Sequence, residues 1–254
     1  MTFENKDLDL ILVPAGLLIM FAYHLFLLYR VLRYPATTVI GYDNNNWMAW
    51  AQTMMQGDTT HINIALSVMS SNSSGSIYLA TMCLSLCAFV GVWVGNGGTN
   101  PVNSVYILGD RSSATNSLKD IGMLFTFMIS FGAFIQSTKY YIQVNSLVSM
   151  PDTDVPVTYV QNALLGGNNF WEIGLRVLYF AMALLFWSFG PIPMFVCCVI
   201  MVVVLAFVDF NSTPLHSYQP RAKLSAKKMT AAVKAAEHGR DQKSASTVSQ
   251  DFGI

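Results

Sequence analysis

Four long apolar stretches, separated by polar and turn-rich segments, organise the first 215 residues of this chain. A helix needs about 20 apolar residues to cross the hydrocarbon core of a bilayer. Leu10 to Leu28 meets that length and is closed by Tyr29, Arg30 and Arg33. It exceeds a signal-peptide core and no small-residue cleavage pattern follows it, which predicts an uncleaved signal anchor. Pro14 is placed in its first turns, where a missing N–H costs little. A second span is predicted over Ile77 to Gly95, and a third from Ile121 to about Gln136, continuing as a polar-faced helix through Tyr140 and Tyr141.

The last stretch, Val177 to Val208, is too long for one ordinary crossing. At 1.5 Å per residue it would reach about 48 Å, against a core of about 30 Å. Gly190, Pro191, Ile192 and Pro193 sit in its middle. Glycine ends helices and proline begins them, so this tetrapeptide is a stop followed by a start. Either Phe170–Phe189 and Pro191–Phe210 form two spans joined by a tight hairpin, or one sharply kinked helix crosses alone. The hairpin is favoured, because each half is about one crossing long. The predicted fold is all-α: a multi-pass transmembrane helical bundle of five spans, with four and a kinked last helix as the alternative, plus amphipathic juxtamembrane helices.

Those amphipathic helices are expected between Tyr34 and Ser76. Trp47, Trp50, Ala51, Met54 and Met55 recur at helical spacing, and Ile62, Ala65, Leu66 and Met69 do so after a break at Gly57-Asp58. Such faces lie along a bilayer surface or pack beneath the spans. Ser70 to Ser76 is either a flexible link or a polar extension of the second span, and Gly95 to Asn100 is a turn-rich exit from it. Asn72 and Asn211 each begin a glycosylation pattern, but both fall on the side assigned to the cytoplasm, so neither is expected to carry a glycan.

Composition agrees with a lipid environment. Hydrophobic residues make up 53% of the chain and charged ones 11%, whereas a soluble domain carries roughly 25% charge. Nucleic-acid binders, disordered chains and ordinary cytosolic enzymes are thereby excluded. The formal net charge of zero hides an asymmetry: seven of the fourteen Lys and Arg residues fall after Leu215. Basic residues concentrate in cytoplasmic loops, so residues 216–254 are expected to form a basic, largely disordered cytoplasmic tail behind a transmembrane domain of residues 1–215. Five spans put eleven of the fourteen basic residues inside and four spans put ten.

Ionisable groups within a span are functional suspects. His24 lies inside the first span; it could bind a ligand or relay protons, but a lone His more often hydrogen-bonds a neighbouring helix. Glu172 and Arg176 stand four apart, the spacing of an ion pair on one helical face, and form an orienting clamp rather than a catalytic pair. Cys83 and Cys87 share a face and Cys197 and Cys198 are adjacent, without His or carboxylate at ligand spacing, so no metal site is expected. No catalytic constellation, cofactor or nucleic-acid partner is implied. Small residues let helices approach closely in lipid. Gly91 and Gly95 in the second span, with Gly122, Thr126 and Ser130 in the third, are therefore the expected packing positions, against each other or against a second copy.

Three stretches carry a resemblance: Trp50 to Met55, then FGAFIQSTKYYIQVNSLVSMP from Phe131 to Pro151, then Phe170 to Asp209 with its FW-x-x-GLR-x-x-YF start and W-x-FGPIPMF centre. Over roughly residues 10 to 215 the chain resembles a multi-pass membrane family, the domain of unknown function 599, found in plants and bacteria. Plant members carry an Arg-Asn pair near Ser70 and Ser71, where this chain has serines and a displaced Asn72. The resemblance implies four or five spans and brings no established activity. The function expected is therefore that of a non-enzymatic assembly or structural component in a lipid bilayer, as a homo-oligomer or a subunit of a membrane complex. The alternative is a channel or transporter whose polar path would draw on His24, Ser85, Thr126, Ser130, Gln136 and the broken segment at Gly190, Pro191 and Pro193.

Overall fold

The computed structural model describes residues 5–95, 112–150 and 155–210. The helices are α1 (Asn5–Arg33), α2 (Val39–Met55), α3 (Thr59–Gly95), α4 (Ser113–Val148), α5 (Val157–Trp187) and α6 (Pro191–Asp209), with a short 3-10 turn at Pro35–Thr37 between the first two. All but α2 are long and apolar enough to cross a membrane. Their outward faces are oily: Ile121, Phe125, Val203 and Phe207 are all exposed. Such a surface is tolerable where lipid is the solvent and would be a liability in water. The protein is an integral membrane protein of five candidate spans.

The hairpin reading of the last stretch holds. The α5 helix closes with hydrogen bonds from the Ser188, Phe189 and Gly190 amides to the carbonyls of Leu185, Phe186 and Trp187. Gly190 then takes φ 124 and ψ 168, a conformation side chains disfavour. Pro191 opens α6 where its missing N–H is not needed.

Other boundaries differ from expectation. α1 begins at Asn5, so Pro14 lies in the helix interior and supplies no donor to the turn before it. The Ile62–Met69 segment is not a separate surface helix: it is the first half of α3, which runs unbroken through Ser70–Ser76 for 37 residues. Those serines are the polar extension, not a flexible link, and Asn72 lies within a helix rather than a loop. α5 likewise starts at Val157, ahead of the expected Phe170. α2 packs beneath the spans, with Ala51 fully buried and Trp47, Trp50, Met54 and Met55 turned onto the α3–α4–α5 core. Asn168 donates to Asn44 at 2.9 Å and Gln161 to the Met48 carbonyl at 2.9 Å, fastening α2 to α5. The tail after Phe210, Asn211 and the glycine-rich exit beyond Gly95 lie outside the described residues.

At 1.5 Å per residue, α6 is about 28 Å long, which matches the hydrocarbon core, while α3 reaches about 55 Å and α5 about 46 Å. Starting level with the α5–α6 hairpin, α5 therefore continues about 18 Å past the end of α6, and α3 and α4 about 25 Å. One register holds them together over the whole length. Ser76, Ser137 and Gly167 form one layer; the Ser137 hydroxyl donates to the Gly167 carbonyl at 2.8 Å and lies 3.2 Å from the Ser76 hydroxyl. Seven residues along each helix the arrangement repeats: Ser130 donates to the Gly174 carbonyl at 2.8 Å, and the Cys83 thiol donates to Ser130 at 3.5 Å. Counting seven further in either direction gives the apolar layers Met69–Val144–Val160 and Val90–Met123–Ala181, all buried. A seven-residue repeat keeps one seam of each helix facing its neighbours over long distances.

Glycine is required in this seam. A Cβ on Gly174 would lie 2.8 Å from the Phe134 ring and one on Gly167 would lie 2.8 Å from the Tyr141 ring. Phe134 and Tyr141 are themselves seven apart and buried. The expected packing positions are thus partly corrected. Ser130 is in the seam. Thr126 bonds only its own helix, through the Gly122 and Met123 carbonyls. Gly122 meets one Leu184 methyl, and a Cβ on Gly91 or Gly95 would meet nothing within 4 Å. Among the described residues, the glycines that let α5 approach α4 closely are in α5, and those of the GxxxG of α3 meet nothing.

Candidate functional site: two buried polar clusters at opposite ends of the bundle

The first cluster gathers where α6 ends. Asp209, its last residue, is 2% exposed. Arg176 of α5 grips it with both terminal nitrogens, Nη1 to Oδ2 at 2.8 Å and Nη2 to Oδ1 at 2.6 Å, a bidentate geometry that is among the stronger ion pairs. Tyr23 of α1 donates its hydroxyl to Oδ2 at 2.6 Å. The expected partner Glu172 is present, but farther, at 3.4 Å from Nη2. One carboxylate thus joins α1, α5 and α6. Beside it, Arg30 lies over the Phe210 ring at 4.5 Å, and the chain around Thr38 makes an isolated antiparallel bridge with Phe210. Thr38 is fully buried, donates to the Pro35 carbonyl at 3.0 Å and accepts the Gly41 amide at 3.2 Å, capping α2.

His24 borders this cluster without joining it by hydrogen bonds. Its Nδ1 lies 2.7 Å from the Met20 carbonyl. A carbonyl only accepts, so the proton sits on Nδ1. The bond is to its own helix, not to a neighbouring one as expected. Nε2 is buried with no partner, and the ring packs 4.9 Å from that of Phe180. The arrangement pairs opposite charges and ties α1, α5 and α6 together.

The second cluster lies at the hairpin end. Trp187 donates its indole N–H to Asp9 at 2.9 Å and lies under the Lys119 ammonium at 5.3 Å. Asp9 and Lys119 are both 8% exposed. Two openings flank them. A cleft of about 530 Å³ runs between α1 and α4, walled by Leu10, Val13, Leu17 and Leu118 with Asp9 and Thr115 on its border. A smaller cavity of about 240 Å³ lies between α3, α4 and the end of α5, walled by Phe89, Trp93 and Phe189 with Lys119, Asp120 and Asn116 among them.

Glu172 and Arg176 are therefore brought together with Asp209 and Tyr23, with His24 alongside. Asp209 escapes sequence reasoning because its partner is 33 residues away, although it falls within the half-span drawn over Pro191–Phe210. An acidic residue terminating an apolar run is the available signal. Lys119 and Asp9, which the sequence presents as loop charges, are both folded inward. Among the described residues no group of three His, Cys, Asp or Glu side chains could hold a metal ion. All four cysteines are free; Cys83, Cys87 and Cys198 are buried.

The supposed lining of a conduction path does not converge. Ser85 is exposed and bonds the Thr81 carbonyl of its own helix, Gln136 is exposed, Ser130 is consumed in the seam, and Phe127, Phe134 and Tyr141 fill the space between the helices.

The model of a protein family of unknown function, DUF599, matches residues 11–214. No curated protein and no solved structure matches the chain.

Proposed function

We propose that this chain, which belongs to the DUF599 family, is a non-enzymatic membrane scaffold: five spans anchor a rigid helical projection on the cytoplasmic side, presented to other copies or to partner subunits. The observation that carries this reading is the fate of the polar side chains. Along the spans, the serines are spent on helix-to-helix seams or on their own backbones and the Arg176–Asp209 pair on the clamp, while Asn116, Lys119 and Asp120 border a cavity only at the hairpin end. A conduction path needs polar groups aimed at a shared cavity, and a catalyst needs a poised pair; neither use is favoured. The projection carries its own core, with Met69, Val144, Val160 and Leu164 buried and α2 laid across it, as a platform requires and a simple anchor does not.

The orientation is supported by Arg30, Arg33 and Lys139 on the projecting side, together with the basic residues 221–243 that follow α6 in sequence. The test is to purify the full chain in mild detergent and to reconstitute it in liposomes. A particle several times the mass of one 28.0-kDa chain, or one with stoichiometric co-purifying protein, together with no ion or dye flux, is expected. A monomer without partners refutes the scaffold, and saturable solute flux favours a transporter instead.

A further inference from the structure

We propose that Arg30 and Arg33, at the end of α1, bind the phosphate of an anionic phospholipid from the leaflet that faces the projection. Three features specify the ligand, and none depends on the scaffold reading.

The first is the state of Arg30. Its guanidinium lies over the Phe210 ring at 4.5 Å and over the Phe26 ring at 5.9 Å. An aromatic ring holds a guanidinium by its flat side and leaves the N–H donors of its rim for a ligand. Phe210 is itself fixed by its bridge to Thr38, so the stack is built before any ligand arrives. Among the described residues, neither the Arg30 nor the Arg33 guanidinium makes an ion pair or a side-chain hydrogen bond.

The second is charge. Asp209 and Glu172, the carboxylates at that end of α5 and α6, are held by Arg176 at 2.6 and 3.4 Å. Asp43 of α2 lies within electrostatic reach of Glu172 and pairs with neither arginine of α1. Arg30 and Arg33 are left as two positive charges three residues apart, where side chains are neighbours and like charges repel. The end of α1 supplies about half a negative charge, less than two guanidiniums call for. A phosphate relieves the repulsion and accepts N–H donors from both forks.

The third is depth. Arg30 stacks on the residue that follows Asp209, where α6 ends after about 28 Å, so it stands where hydrocarbon gives way to headgroups. Tyr29 and Tyr34, both exposed, meet edge to face there with centroids 6.5 Å apart, and tyrosine is enriched at that level. Phe26, Arg30 and Arg33 follow the four- and three-residue steps of one helical face, and Phe26 is half exposed, so the face opens to lipid. A choline headgroup brings an ammonium that the two arginines repel, which favours a phosphate without one.

The experiment uses the full chain purified in a maltoside detergent, incubated with equimolar phosphatidylglycerol and phosphatidylcholine and read by native mass spectrometry. Phosphatidylglycerol retained roughly tenfold over phosphatidylcholine is expected, the worth of about one charge-assisted contact. Arg30→Lys keeps the charge but gives up the planar fork, and Phe210→Leu removes the stack; each lowers the ratio roughly threefold or more. Lys139→Gln, at an exposed position on the same side of the membrane, leaves it unchanged. A ratio near one in the unaltered protein overturns the proposal. So does a ratio that Arg30→Lys leaves intact, since charge alone would then suffice, or one that Lys139→Gln lowers as far. Where Arg30→Lys fails to express, Arg33→Gln, at an exposed position, decides in its place: a ratio it leaves intact overturns the site. Glycerol 3-phosphate displacing the lipid at equal concentration overturns the membrane as the source of the phosphate.

Discussion

Replacing Gly174 by alanine adds one methyl group at the centre of the α4–α5 seam, and the direction of its effect follows from the distances. The new carbon would stand 2.8, 2.9 and 3.0 Å from three atoms of the Phe134 ring. Alanine is the better helix former by about 1 kcal/mol, so with open space beside it the substitution would stabilise. Here the ring must give way, and it has nowhere to go: Phe134 is fully buried and wedged against Trp171 with centroids 5.7 Å apart. Overpacking of this kind costs about 1–3 kcal/mol. A ring without room to move puts the penalty in the upper part of that range, about 2–3 kcal/mol, and subtracting the propensity gain leaves a net loss of about 1–2 kcal/mol. For a chain of this size that lowers the melting temperature by about 2–8 °C. The Ser130 bond to the Gly174 carbonyl lengthens as the helices part, which pushes toward the upper end.

Thermal unfolding in detergent, followed by tryptophan fluorescence, reads the change. Gly91→Ala is the control: the same chemistry, with nothing within 4 Å of the added methyl, is expected to leave the melting temperature unchanged or raise it. Gly174→Ala combined with Phe134→Leu should recover much of the loss, since the smaller side chain vacates the disputed volume and the two substitutions are coupled. A Gly174→Ala protein that melts with or above the unaltered one, or a double variant whose losses simply add, refutes the seam as described.

Two further outcomes follow from the charged groups. Asp209→Asn removes the bidentate partner of the buried Arg176 guanidinium and leaves it only Glu172 at 3.4 Å, which costs up to about 3 kcal/mol; Arg176→Met with Asp209→Leu should be more stable in a melting assay than Asp209→Asn alone. At the opening of α3, the ring nitrogen of His61 lies 2.7 Å from Asp58 and the His61 amide donates to the same oxygen at 3.3 Å. These bonds hold the Asp58 carboxyl below the usual carboxylate range. A depressed carboxyl contributes stability above its unfolded pKa and loses it as the pH falls through the folded value. Amide exchange at His61 and Ile62, corrected for its intrinsic rate, should therefore be slow near neutrality and accelerate in acid, and Asp58→Asn should abolish that dependence.

The bundle is legible in the sequence where chemistry is local. Gly190 and Pro191 stop one helix and start the next by backbone constraints that need no partner, so the hairpin can be placed from the order of residues alone. The length of α3 cannot, because Ser70–Ser76 is a linker by composition and a seam by register. Ser76 is fully buried and Ser73 nearly so, whereas Ser70 and Ser74 are exposed, a pattern visible only once the facing helix is known. Gly91 and Gly95 have a familiar packing spacing and meet nothing within the chain. The pairs that pack, Gly167 with Gly174 and Ser130 with Ser137, are seven apart, and Ser76 and Cys83 repeat that interval. Among so many small residues, nothing local marks it out. Glu172 and Arg176 can be joined from spacing alone, but Tyr23 and Asp209 meet them only through tertiary structure.

The shared interval of seven limits how this molecule can change in length. One residue inserted into α3 swings everything beyond it by about 100° around the helix axis, carrying Ser76 or Cys83 out to the lipid and a bulky neighbour in against α4. Lengthening that preserves the fit must add whole repeats, and add them to three helices together. The span from hairpin to platform tip is thus a quantity that the protein can alter only in steps of about 10 Å, as a ladder gains height only by rungs.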